Sequence, residues 1–184
     1  SLNYVKSLVP PSFKLEFRSP RALVPSTTLM SHQEFGVTWL ISAYNTGFPG
    51  VLIADDMGLG KTLQALVYLA LYIEQIPKIN QKPSLIIAPT GLLNNWQKEI
   101  ADHLGLNGLG HLTLAYGAGL KHIKTSNSGR DTDLGVPILD VGKLSASGVI
   151  LTTYESLRDY QISFSQVSFG TVIFDEIQKT KNPR

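Results

Sequence analysis

The segment Val51-Leu52-Ile53-Ala54-Asp55-Asp56-Met57-Gly58-Leu59-Gly60-Lys61-Thr62 decides how the rest of this chain is read. An apolar run of four residues stops at Asp55, glycines stand at 58 and 60, and a helical stretch runs from Lys61 to about Ile76. That order predicts strand, loop, helix. Gly58 and Gly60 let the backbone turn so that successive N–H groups aim at one anion, and the helix start adds a positive dipole end. Lys61 then brings a cation to the β- and γ-phosphates of a nucleotide, and Thr62 a hydroxyl to magnesium. Asp56, Met57, Gly58, Leu59, Gly60, Lys61 and Thr62 are the candidate phosphate-binding residues, and Lys61 is also a candidate catalytic residue. The strict pattern G-x-x-x-x-G-K-[ST] has Gly where this chain has Asp55, but the G-K-T end and its context remain.

The strand-to-helix unit repeats outward from this segment. Leu85 to Ala88 predicts a strand, Pro89-Thr90-Gly91 a turn, and Leu92 to Leu104 a helix with Trp96 and Ile100 on one side. Further strands are expected at about Leu112 to Tyr116, Val149 to Thr153 and Thr171 to Phe174. Strands alternating with helices predict a three-layer α/β/α fold around a mainly parallel sheet. Upstream, Phe35, Trp39 and Leu40 recur at helical spacing from Ser31, the expected N-cap, until Asn45, Gly47 and Pro49 end the run. Residues 1–28 carry Pro10, Pro11, Pro20 and Pro25, which exclude a long helix, while Phe13 to Phe17 alternates like a short strand. They are expected to form a packed arm, with 29–184 as the nucleotide-binding lobe. The stretch from Gly117 to about Gly135 shows no clear period and is expected to be partly mobile.

A second chemical signal is Thr171-Val172-Ile173-Phe174-Asp175-Glu176, an apolar strand ending in adjacent carboxylates. Asp175 can hold magnesium directly or through water, and Glu176 can position and polarise an attacking water. The same pair, standing alone, would cap the next helix. Because phosphoryl transfer is mostly positioning and charge neutralisation, few groups suffice.

Composition sets the outer bounds. The 184 residues are 43% hydrophobic and 16% charged, with no cysteine and a net charge of +2. Disulfide scaffolds and cysteine-ligated metals are excluded. A charged fraction below the ~25% of ordinary soluble domains predicts an apolar surface somewhere. Near-neutral charge offers no field for nucleic acid, so that argument must come from motifs. No apolar run approaches the ~18 residues that span a bilayer, and the N-terminus lacks a secretory layout, so a cytoplasmic chain is expected. The opening Ser1 and closing Asn182-Pro183-Arg184 give the expectation of an excised piece. His103, His111 and His122 show no ligand spacing with carboxylates.

Taken in order, Leu29-Met30-Ser31-His32-Gln33 with Gly36 and Trp39, D-D-M-G-L-G-K-T, I-I-A-P-T-G-L-L-N-N-W, L-T-T-Y-E and D-E-I-Q-K-T-K-N-P resemble the Swi/Snf-type ATPases. These are double-stranded DNA translocases of helicase superfamily two. The resemblance runs from about Leu29 to Pro183; the Asp-Glu-Ile-Gln spelling looks bacterial, and His32 stands where the family often has Tyr. It implies a P-loop, recombinase-like (RecA-like) lobe that uses ATP and Mg2+, and a nucleoid-associated location in a bacterium. Gln33 would read the adenine edge through its amide, unless it is a plain surface helix residue. Gln178 would couple the nucleotide site to DNA or to a second lobe. Pro89, Thr90 and Gly91, and Thr152, Thr153 and Tyr154, would touch the duplex backbone without reading sequence, where plain N-capping is the competing role. Gly91 stands where the family usually has Ser, so one side-chain contact is missing. Trp96 is expected to be core rather than a base-stacking platform, and Lys121, Lys124 and Arg130 a solvated loop rather than a clamp.

The resemblance further implies a second recombinase-like lobe of the same parent chain, which supplies arginines to the ATP site. The 184-residue chain alone is therefore expected to bind ATP–magnesium weakly and to hydrolyse it negligibly. Two competing classes stay open: an RNA-unwinding superfamily-two enzyme, and a nucleotide-gated binding module that does not translocate.

Overall fold

A computed structural model describes residues 8–54, 58–105, 108–125, 130–131 and 136–178, with 130–131 and 136–137 described in backbone only. Asp55, Asp56, Met57 and the motif residues after Gln178 lie outside the described residues. The elements in chain order are α1 (Ser31–Thr46), α2 (Lys61–Gln75), β1 (Ser84–Ile87), α3 (Leu93–His103), β2 (Leu112–Ala115), α4 (Leu120–Ile123), β3 (Arg130–Asp131), β4 (Val136–Pro137), α5 (Val141–Ser145), β5 (Val149–Thr152), α6 (Tyr154–Asp159), α7 (Gln161–Ser165) and β6 (Thr171–Phe174). Four strands form one parallel sheet in the order β2-β5-β1-β6, and β3 pairs with β4 as a separate antiparallel ribbon.

Alternation of side chains divides the sheet between two apolar layers. Ile86, Ala88, Val149, Leu151 and Ile173 face α1, α2 and α3. Leu85, Ile87, Ala115 and Ile150 face the opposite layer, which holds Ile123, Leu144, Tyr160 and Phe164. The three-layer α/β/α expectation is met, and the four apolar runs from Leu85 onward are strands within one or two residues of the expected bounds. Val172 and Phe174 remain substantially exposed over an apolar groove with Leu157 and Phe164.

Helix α2 is the centre of the first layer. Every residue from Leu63 to Tyr72 is buried, because α1, α3, the sheet and the N-terminal arm enclose it on all sides. Gly36 makes the α1 contact possible: a Cβ there would overlap the Gln64 side chain, which is itself buried. The arm holds on through side-chain amides that imitate a paired strand. Asn45 exchanges two 2.8 Å hydrogen bonds with the backbone of Leu15, and Gln75 bonds the N–H and C=O of Glu16 at 2.9 and 2.8 Å. This is why Phe13 to Phe17 alternates, with Leu15 buried, yet is not a strand.

Three expectations are corrected. Val51–Ala54 has no strand pairing; Leu52 is 73% exposed, and a lone extended segment gains nothing without a neighbour. The N-cap of α1 is Met30, not Ser31. The buried stripe of α1 is Gln33, Val37 and Ile41, while Phe35 is 75% exposed and Trp39 is also open. Both stripes satisfy helical spacing, so only the packing of α2 selects between them. Among the described residues no helix is long and apolar enough to cross a membrane.

Burial raises the phenol pKa of Tyr68 from 10.0 to about 12, and pushes Tyr44 and Tyr72 up as well. A raised pKa means that the folded state holds the proton more tightly than the unfolded chain. The stabilisation is therefore complete below pH 10 and is lost as the pH rises through the folded value of about 12. Urea midpoints should fall between pH 10 and 12, with Tyr68 contributing up to about 1.4 kcal/mol per pH unit. Tyr68→Phe should flatten that slope.

Candidate functional site

The parallel register brings the strand ends together. Ile87 of β1 stands opposite Thr152 of β5 and Phe174 of β6. The ladder continues one residue further, with Ala88 N–H donating to Thr152 O at 3.1 Å and Asp175 N–H to Ile87 O at 2.9 Å. Pro89-Thr90-Gly91, Thr153-Tyr154 and Asp175-Glu176 therefore leave the sheet side by side at its carboxyl edge, where open parallel sheets bind ligands.

Helix α2 starts at the same edge. Near its end, Tyr72 packs so closely on Gly170 that a Cβ there would overlap the phenol, and Tyr68 lies beside Thr171. Between Tyr72 and Lys61 the helix climbs about 16 Å. From Gly170 to Asp175 the extended chain climbs about the same distance. On these rises the start of α2 reaches about the height at which Asp175 ends β6. Gly58 and Gly60 have φ of 88° and 73°, and Gly60 is the N-cap of α2. Gly60 has no side chain with which to cap the helix, and among the described residues no acidic residue stands in its first turn. Its N-terminal N–H groups and dipole are thus arranged for an anion.

The start of α1 is clamped to that turn. Around the Leu59 carbonyl stand His32 Nε2 at 3.2 Å and the amide nitrogens of Gln33 and Gln64, each at 3.5 Å. The imidazole tautomer that donates here carries its proton on Nε2. Gln33 is only 7% exposed, and its Oε1 accepts the Met30 N–H at 2.9 Å. Gly60 leaves room for this contact, because a Cβ there would overlap the Gln33 amide. Gln33 therefore adjoins the glycine turn, with its amide turned back onto the protein.

Asp175 and Glu176 are held differently. Asp175 Oδ2 accepts a 2.8 Å hydrogen bond from Trp96 Nε1, and the Asp175 carbonyl accepts one of 2.7 Å from the Tyr154 hydroxyl. Burial, with the charges of Asp175 and Glu176, pushes the Tyr154 phenol pKa up, which keeps that donor protonated. Glu176 has φ of 52°, the sole non-glycine residue with positive φ among those described. Such backbone strain gathers where a side chain must be aimed. Gln178 Nε2 donates to Glu176 Oε2 at 2.8 Å, so the residue expected to couple the site touches the candidate catalytic carboxylate.

The two candidate DNA loops differ. Thr90 and Gly91 are exposed, and Pro89 rather than Thr90 precedes the short turn at Thr90–Leu92, which has no side-chain cap. In the second loop the hydroxyls are spent internally. Thr152 is buried and donates to Ala115 O at 2.8 Å, and Thr153 caps α6 by accepting the Ser156 N–H at 2.9 Å. Sequence reasoning missed the Trp96 and Tyr154 bonds to Asp175. The available signal was that a buried indole N–H needs an acceptor somewhere.

An α/β lobe built on a parallel four-stranded sheet is the class this fold defines, and comparison with known proteins narrows it. Residues 32–184 match the model of the SNF2-related domain, and the chain belongs to that family. It is 39% identical over 171 residues to the Zorya protein ZorD of Escherichia coli O139:H28, covering 89% of this chain and 16% of that protein. It is 34% identical over 162 residues to the chromatin-remodeling ATPase INO80 of Arabidopsis thaliana, covering 84% and 10%. The solved Sulfolobus solfataricus SWI2/SNF2 ATPase core in complex with dsDNA superposes with a TM-score of 0.63 at 29% identity, covering 91% of this chain and 30% of that one. The chain thus spans a small part of the length of the relatives it matches.

Thr153→Ala should destabilise the fold by about 1 kcal/mol through loss of the cap, and Thr153→Ser should restore most of it. Urea denaturation measures this, and an unchanged midpoint would remove the capping role.

Proposed function

We propose that this chain is the ATP-binding lobe of a DNA-dependent ATPase that tracks along double-stranded DNA. The observation that supports the reading is the in-register carboxyl edge at which the Asp175-Glu176 pair leaves β6, together with the positive-φ glycine turn that opens α2. ATP would lie with its phosphates on the N–H groups of Gly58 to Thr62, and Lys61 would neutralise charge on the β- and γ-oxygens. Asp56 and Met57 would complete this cradle. The residues fit magnesium: the Thr62 hydroxyl and the Asp175 carboxylate are oxygen donors, and Oδ1 of Asp175 accepts no hydrogen bond among the described residues. When bound, magnesium supplies charge neutralisation across the β- and γ-phosphates. Glu176 would orient the attacking water and take its proton. Gln178, through its bond to Glu176, would report the state of that carboxylate to DNA or to a second lobe.

For adenine recognition, Gln33 would exchange its bond to the Met30 N–H for the base edge, a local rearrangement at the end of α1. Thr90 and Gly91, with the Pro89 turn, would meet one stretch of duplex backbone, and Tyr154 with the N–H groups at the start of α6 another. Contacts of this kind position a phosphate chain and carry no sequence information. The solved relative in complex with duplex DNA supports that partner. Hydrolysis at full rate is proposed for a longer protein in which a second lobe closes over this edge, with this chain alone turning over ATP negligibly.

Lys61→Ala should abolish binding of ATP–magnesium, measured by equilibrium dialysis. In the two-lobed protein, Glu176→Gln should leave ATP bound but uncleaved. Duplex DNA should stimulate hydrolysis more than RNA; the reverse order would favour an RNA-unwinding enzyme. ATP binding without any response to DNA would favour a nucleotide-gated module.

A further inference from the structure

We infer that Trp96 is a positioning residue for Asp175, and that together with Tyr154 it ties the two candidate DNA loops to the carboxylate that would face magnesium. The inference rests on the nucleotide-site reading above and adds to it a route between the sites.

Trp96 is 2% exposed and its ring packs in the layer between α3 and the sheet. Its one polar atom, Nε1–H, spans 79 positions of sequence to reach Asp175 Oδ2 at 2.8 Å. Alternation along β6 explains the meeting: Ile173 faces α2 and α3, so Asp175, two residues on, emerges toward the same layer. A charge-assisted bond to one oxygen sets the rotation of the whole carboxylate and so aims the other. Tyr154 holds the same residue from the opposite side, through its main-chain carbonyl at 2.7 Å. Side chain and backbone of Asp175 are therefore gripped by two different helices.

Both helices begin at candidate contact loops. Trp96 lies in the first turns of α3, directly after the Thr90–Leu92 turn, and Tyr154 is the first residue of α6. A phosphate chain that shifts either helix start must move a donor relative to Asp175, or carry Asp175 with it. By linkage, magnesium and nucleotide must then bias the loops in return. The competing account is that Trp96 only satisfies a buried N–H, in which case the bond would matter for folding and not for metal.

The sequence holds two tryptophans, so Trp39→Phe leaves Trp96 as the single tryptophan, hydrogen-bonded to the Asp175 carboxylate. In that protein, emission should change with ATP plus Mg2+ and not with ATP plus EDTA, and Asp175→Asn should remove the change. Trp96→Phe keeps a ring in place but drops the donor. With a fluorescent ATP analogue, it should raise the Mg2+ concentration for half-maximal binding about tenfold while leaving binding in EDTA unaltered. Tyr154→Phe should shift the same quantity in the same direction. Duplex DNA should alter Trp96 emission in the presence of Mg2+ and ATP, and Tyr154→Phe should shrink that effect. An unchanged magnesium requirement in Trp96→Phe overturns the positioning role, as does equal weakening with and without Mg2+. DNA that binds but leaves Trp96 emission unmoved overturns the route between the sites. A wild-type chain that binds no ATP analogue under any condition overturns the nucleotide reading itself, a result separate from these.

Discussion

The in-register parallel pairing of β1 with β5 on one side and β6 on the other is the constraint on which everything else depends. All of these strands run the same way, so their last residues fall at one height and every following loop leaves through one edge. The pairing does not stop at the strands. The N–H groups of Ala88 and Asp175 extend the ladder into the loops, so that the candidate site is the sheet's own continuation. A slip of one residue in β6 would turn Asp175 toward the opposite layer and away from Trp96.

Around that edge the protein spends its packing on rigidity. An α2 helix buried on every face cannot rotate without breaking contacts with α1, α3 and the sheet together. The N-terminal arm closes the last open side through Asn45 and Gln75, and Arg18 adds a 3.5 Å ion pair with Glu74 near the end of α2. At the other end, the approach of Gln33 to Gly60 and of His32 and Gln33 to the Leu59 carbonyl fastens the glycine turn to α1, and Gln64 of α2 adds a third donor to that carbonyl. Rigid elements bearing adaptable loops are what a site needs when catalysis is mainly positioning.

A surface of net charge +2 provides little long-range attraction for a polyanion. Any grip on a phosphate chain must then come from local N–H groups at helix starts, and the internal commitments of Thr152 and Thr153 make the same point for the second loop.

The four sheet strands from Leu85 onward, their mainly parallel arrangement, the helix at Lys61 and the acidic strand end were legible in the sequence, because each is written in local pattern: apolar runs of strand length, glycines at turns, and a 3.6-residue period. What escaped local pattern was decided by neighbours. Two stripes on α1 fit a helix equally well, and the position of α2 chose Val37 and Ile41 over Phe35 and Trp39. Val51–Ala54 had the composition of a strand but lacked a partner, since strand formation is a property of pairs. The hydrogen bonds from Trp96 and Tyr154 to Asp175 join residues separated by 79 and 21 positions. A donor's need for an acceptor is fixed by its chemistry, but which acceptor it finds is settled only when the chain has closed on itself.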